Sequence, residues 1–220
     1  MALWEVRARS AELLSGPFSE YDRLIQECFE VIAECIDLCS HRRDQAYFLA
    51  TGLALTKARR FALGSYSLML DGLGQEGGAL LRPLIEYYEL LTFVRMFPHR
   101  AQEVIDNRQP SAGKVAQEIE GRWKGLREYL NDHASHGSFS DHSTGHLYRA
   151  DGSLASGENV GEETLGTNMS VFYAVSWLVA AEGVHNLSEG EAGLVNDQAW
   201  KLESLKAESY QVFDFEKGRT

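Results

Sequence analysis

Apolar residues return along this chain at helical spacing. From Ser19, a candidate N-cap, Leu24, Cys28, Val31, Cys35 and Leu38 recur every three or four residues as far as about Ser40. A second stripe runs from about Asp44 to Leu70 through Phe48, Leu55, Phe61, Leu63 and Leu68, and the Asp71-Gly72-Leu73-Gly74 cluster punctuates it. Residues 2–15 predict a short leading helix stopped at Gly16-Pro17. Glu76 to Phe97 is apolar on most sides, the mark of a central helix, with Pro83 predicting a kink inside it. Pro98 and Pro110 bracket a short polar helix. Ala112 to about His133 then reads as one amphipathic helix with Val115, Ile119, Trp123, Leu126 and Leu130 on its buried face.

The helical pattern stops at Gly137. From there to about Glu163 the chain is rich in Gly, Ser, Asp and Asn, a composition typical of a functional or mobile insert. Within it, the stretch from His146 to Ala155 predicts a small β-hairpin turning at Asp151-Gly152. Two helices close the chain. One spans about Thr164 to Asn186; the other starts at a Ser188-x-x-Glu191 capping box and reaches about Phe213. The expected fold is therefore all-α: a helical bundle of about seven helices with a hairpin in its insert. No repeat or linker divides residues 1–220, so they read as a single domain with a peripheral segment at 1–18 and the insert at 137–163.

Composition narrows the class. Hydrophobic residues make up 44% and charged residues 24%, as in a folded protein and not a disordered one. The formal net charge of -11 disfavours a surface that grips nucleic acid or anionic lipid over its whole extent, and leaves room only for a local basic site. The first residues carry Glu5 and no apolar run, so no signal peptide is expected and the chain reads as cytoplasmic. The segment from Met169 to Val184 is short for a membrane span and reads as a buried helix. Cys28, Cys35 and Cys39 lie at offsets of seven and eleven on one apolar stripe, where small core residues are expected.

Candidate chemistry gathers in three places. Four of the seven histidines, His133, His136, His142 and His146, fall within fourteen residues beside Asp132 and Asp141. H-x2-H and H-x3-H spacings can hold zinc or iron when the residues are helical; the alternative is a histidine-containing surface loop, with no cofactor at all. Arg82, Glu86 and Glu89 form one polar stripe on the central helix at i, i+4 and i+7. Such a stripe either faces water or, among neighbours this apolar, sets a buried pair that lines a ligand pocket or holds a helix. Arg127 and His133, six positions apart, flank the buried face about 120° from each other. Arg can hold phosphate and His can exchange a proton near neutral pH.

The run Ala79-Leu-Leu-Arg-Pro-Leu-Ile-Glu86 resembles the "LLRxxxE" helix of a group of uncharacterised bacterial all-helical proteins. Leu130-Asn-Asp-His-Ala-Ser-His136-Gly-Ser138 is similar to a short Leu-Ser/Asn…His-Gly/Pro-Ser signature that follows that helix in the same group. The resemblance spans roughly residues 45–185, and more distantly the group resembles the HEPN superfamily. Many HEPN proteins are dimeric, metal-independent ribonucleases of toxin–antitoxin and phage-defence systems. The resemblance implies a homo-oligomer, most simply a dimer, and RNA or a small molecule as ligand. In an active member Arg127 would hold phosphate, with His133 or His136 as acid/base, although Glu128 stands where the motif carries Asn, Asp or His. The first expectation, ranked above an active nuclease, is a non-catalytic or unknown-activity binding module whose Arg82, Glu86 and Glu89 stripe and histidine loop, with His136, form a small-ligand or partner site.

Overall fold

Each long apolar stripe becomes a helix. The computed structural model of the chain describes residues 3–130, 152–153 and 161–213. In chain order these form α1 (Leu3–Leu14), α2 (Ser19–Ser40), α3 (Ala46–Leu70), α4 (Gly74–Ala79), α5 (Leu81–Met96), a 3-10 turn (Pro98–Arg100), α6 (Ala101–Ile105), α7 (Ala112–Glu118), α8 (Lys124–Leu130), α9 (Glu162–Gly190) and α10 (Asn196–Val212). The all-α class is as expected, and among the described residues there is no strand. Apart from Gly152 and Ser153, the expected β-hairpin lies outside them.

The described helices number ten against the expected seven or so, because short elements divide two of the predicted long ones. Glu76–Phe97 is not one helix kinked at Pro83. The chain turns at Leu80, and Pro83 sits in the first turn of α5, where a proline needs no backbone N–H partner. Ala112–His133 is broken as well. Glu120 takes a left-handed φ of 52° and the Gly121 N–H closes back on the Ala116 carbonyl at 2.7 Å, ending α7. The predicted apolar face still turns inward: Val115, Ile119 and Leu130 are buried, with Trp123 and Leu126 packed at the edge of the core. Ser188-x-x-Glu191 caps no helix. Ser188 lies inside α9, and the Glu191 carboxylate accepts from Arg42 at 2.7 Å instead.

At the centre α3 and α9 pack on each other, and each packs on both α2 and α5. Close approach rests on small residues. A Cβ at Gly183 of α9 would stand 2.9 Å from Leu55 of α3, and one at Gly52 would stand 2.9 Å from the Cys39 Cβ of α2. Between these helices Leu24, Ile32, Leu55, Leu91, Met169 and Phe172 are almost wholly buried. Each such side chain contributes about 1.5–3 kcal/mol by leaving water. The α2 cysteines belong to this core and carry free thiols, as the stripe predicts; burial pushes the Cys35 and Cys39 thiols up to about 12. α10 lies across α2 and α9, and α1 lies across α2 and α3. Arg7 of α1 grips Asp71 at 2.5 Å, so the leading segment is tied to the end of α3. The short helices α6 to α8 fold over the outer side of α3 and α5, and that covering layer creates the candidate site.

Candidate functional site

The polar stripe of α5 divides between two environments. At its start Arg82 Nε donates to Glu86 Oε1 at 3.1 Å, and both side chains are half-buried. One turn further on, Glu89 is 1% exposed. Helical geometry puts Glu89 on the same side as Arg82, so its burial comes from what covers it. The covering layer is α7, the turn after it and α8, with Trp123 set edge-on to Tyr88 of α5 at 6.3 Å.

That layer brings a cation to the buried carboxylate. Arg127 in the last turn of α8 donates from Nη1 to Glu89 Oε2, with its side chain 14% exposed. Glu89 Oε1 has no hydrogen-bond partner, and Gly121 backs directly onto it; a Cβ there would stand 2.8 Å away. Burial raises the Glu89 pKa, the Arg127 charge opposes that rise, Glu86 adds to it, and the Arg127 hydrogen bond lowers it; the net direction is upward. Arg127 and Glu89 were thus placed in different candidate sites by the sequence, and the fold joins them. They stand 38 positions apart, and no local pattern signals the pairing.

Beside this pair, between α3, α5 and the connection from α6 to α7, lies a cleft of about 350 Å³. One wall is aromatic: Phe61 of α3 stacks on Tyr87 of α5, with ring centroids 5.9 Å apart and planes 30° from parallel. Pro83 and Leu90 extend this wall along α5, and Val115 and Ala112 of α7 face it. Among the described residues Glu86 supplies the only charged side chain of the lining, and Gln109 supplies an amide. The Gln109 Oε1 atom is buried and accepts no hydrogen bond. Gln109 reaches this place because the chain reverses after α6. Asn107 adopts a φ of 54°, tolerated best by Asn and Gly, and the Arg108 N–H closes on the Glu103 carbonyl at 2.7 Å. Pro110 and Ser111 then lead into α7, whose first turn donates to the Ser111 carbonyl.

Of the residues singled out beforehand, Arg82, Glu86, Glu89 and Arg127 therefore gather around the outer face of α5. His133, His136, His142 and His146 lie outside the described residues, so the catalytic and metal arrangements that depend on them do too. Among the described residues no three His, Cys, Asp or Glu side chains are grouped to hold a metal ion, and no helix is long and apolar enough to cross a membrane. Gln109, Phe61 and Tyr87 carried no functional signal in the sequence, since Phe61 reads there as core and Gln109 as part of a loop.

A second buried polar cluster joins α3, α5 and α9. Arg95 donates to Glu182 at 2.6 Å, and Asn186 donates to the Leu91 carbonyl at 3.1 Å. The Tyr47 hydroxyl donates to the Asn186 backbone carbonyl at 2.9 Å. Its members satisfy one another across three helices, which suits a role in fixing helix register. No protein-family model, curated protein or solved structure significantly matches the chain.

Proposed function

We propose that this protein is a non-catalytic binding module that takes a small organic molecule in the cleft between α3, α5 and the α6–α7 connection. The observation that carries this reading is the cleft's composition: an apolar and aromatic lining that also holds the Glu86 carboxylate and the Gln109 side chain. Small-molecule sites are commonly built so, with volumes of about 300–1,000 Å³.

The ribonuclease alternative requires the Arg127 guanidinium to meet phosphate. Its engagement by buried Glu89 favours the binding reading, in which Arg127 holds α8 on α5. A setting in bacterial defence, as the HEPN resemblance implies, is compatible with a non-catalytic member of such a system. The test is a ligand-observed NMR screen of a fragment library against the native chain and an Ala112→Trp variant, in which the indole fills the cleft. Hits whose saturation transfer disappears in the variant support the reading. A library that gives no hit sensitive to Ala112→Trp overturns it.

A further inference from the structure

Resting on that cleft as the ligand site, we infer that its ligand class is a flat organic cation, an aryl ring carrying an amidinium, guanidinium or ammonium group. Three features of the lining converge on this chemistry. First, the charged group in the lining offers an acceptor. The Glu86 carboxylate takes one N–H from Arg82 on Oε1 at 3.1 Å, and a carboxylate has several lone-pair sites, so it can accept a ligand donor as well. Second, Phe61 and Tyr87, stacked on each other, give the lining an aromatic wall, and aromatic π systems attract cations and pack against planar rings. Third, among the described residues no Lys, Arg or His lines the cleft, and the chain as a whole carries a net charge of -11. An anionic ligand would meet the Glu86 carboxylate, whose Arg82 partner is already engaged with it.

The geometry orders the ligand as well. The ring lies along Tyr87, Pro83 and Leu90, and the cationic head turns toward Glu86. An amidinium presents its N–H donors in one plane and suits the two oxygens of a carboxylate better than a single-point ammonium does. A ring system of naphthalene size suits a cleft of about 350 Å³.

The test uses three probes of one shape: naphthalene-2-carboxamidine, 2-naphthamide and 2-naphthoate. Each is titrated by NMR into the native full chain and into the Ala112→Trp and Glu86→Gln variants. Far-ultraviolet circular dichroism of each variant checks its helix content. The inference expects the amidine to bind about tenfold or more tighter than the amide, and the naphthoate to bind weakest. It also expects Glu86→Gln to weaken the amidine about tenfold and leave the amide almost unchanged. Should the amide or naphthoate match the amidine while still losing binding in Ala112→Trp, the cleft stands as a site and the cationic class is overturned. Amidine binding indifferent to Glu86→Gln overturns the class as well. If no probe responds to Ala112→Trp, the cleft reading falls together with the inference. Should Glu86→Gln lose helix content, Glu86→Asp replaces it; that variant keeps the charge, shortens the reach, and is expected to retain the preference for the amidine over the amide.

Discussion

Arg127→Met removes a guanidinium from a buried ion pair while keeping most of the side chain's apolar stem. In the native protein the Glu89 side chain is 1% exposed and that of Arg127 14%, so neither is well solvated. Deleting one partner of such a pair leaves a buried, uncompensated charge and costs about 3–5 kcal/mol, against roughly 0–1 kcal/mol for an exposed pair. Here the loss belongs at the upper end of that contrast, because Glu89 Oε1 already lacks a partner. The cost carries a pH signature. The Glu89 pKa is raised in the folded state even with Arg127 present, burial being the largest cause. A carboxyl with a raised folded-state pKa contributes stability that is present below the unfolded value and is lost as pH rises through the folded one. Removing Arg127 takes away both influences that hold the Glu89 pKa down, so the window extends to higher pH. Urea unfolding followed by far-ultraviolet circular dichroism, at about pH 5 and about pH 8, measures this. The destabilisation by Arg127→Met should be several kcal/mol at the higher pH and smaller at the lower. The double variant Glu89→Leu/Arg127→Met should recover most of it, since an apolar pair needs no desolvation. A loss below about 1 kcal/mol at both pH values, or one that grows as pH falls, would falsify the buried-pair argument.

Two further outcomes follow from the core. Cys28, Cys35 and Cys39 should resist iodoacetamide in the folded protein at neutral pH and react in urea, because burial pushes all three thiols up and shields them from reagent; mass spectrometry of labelled chains checks this, and alkylation of the native protein at unfolded-state rates refutes it. Asn186→Ala should cost roughly 2–4 kcal/mol in urea unfolding: it strips the Leu91 carbonyl of its side-chain donor, loosens the α5–α9 contact and opens a small cavity, and a cost near zero would show that water replaces the amide without loss.

The comparison of sequence with fold turns on range. Helices α2 and α3 were legible because their apolar residues repeat every three to four positions over more than five turns, and the same repeat places Cys28, Cys35 and Cys39 in the core. The breaks at Leu80 and at Glu120-Gly121 were not legible. Both interrupt continuous apolar stripes, and the Glu120 turn needs a left-handed φ that its residue type does not announce. The Ser188-x-x-Glu191 pattern misled for the converse reason: a capping box is a local option, and the roughly seven helical turns that precede it in α9 already held Ser188 in place.

For function, the sequence by itself determined that Arg82, Glu86 and Glu89 share one face of a mostly apolar helix, because 3.6 residues per turn leave no other arrangement. It also determined the acidity of the chain, a net charge of -11. Only the tertiary structure decided what each carboxylate became. α7 and α8, folded back from some thirty residues later, cover Glu89 and supply Arg127, whereas Glu86 one turn earlier opens onto a cleft completed by Phe61 and Gln109. Spacing decides which side chains share a face; burial depends on the element that covers that face, and that element is chosen by packing across the whole chain.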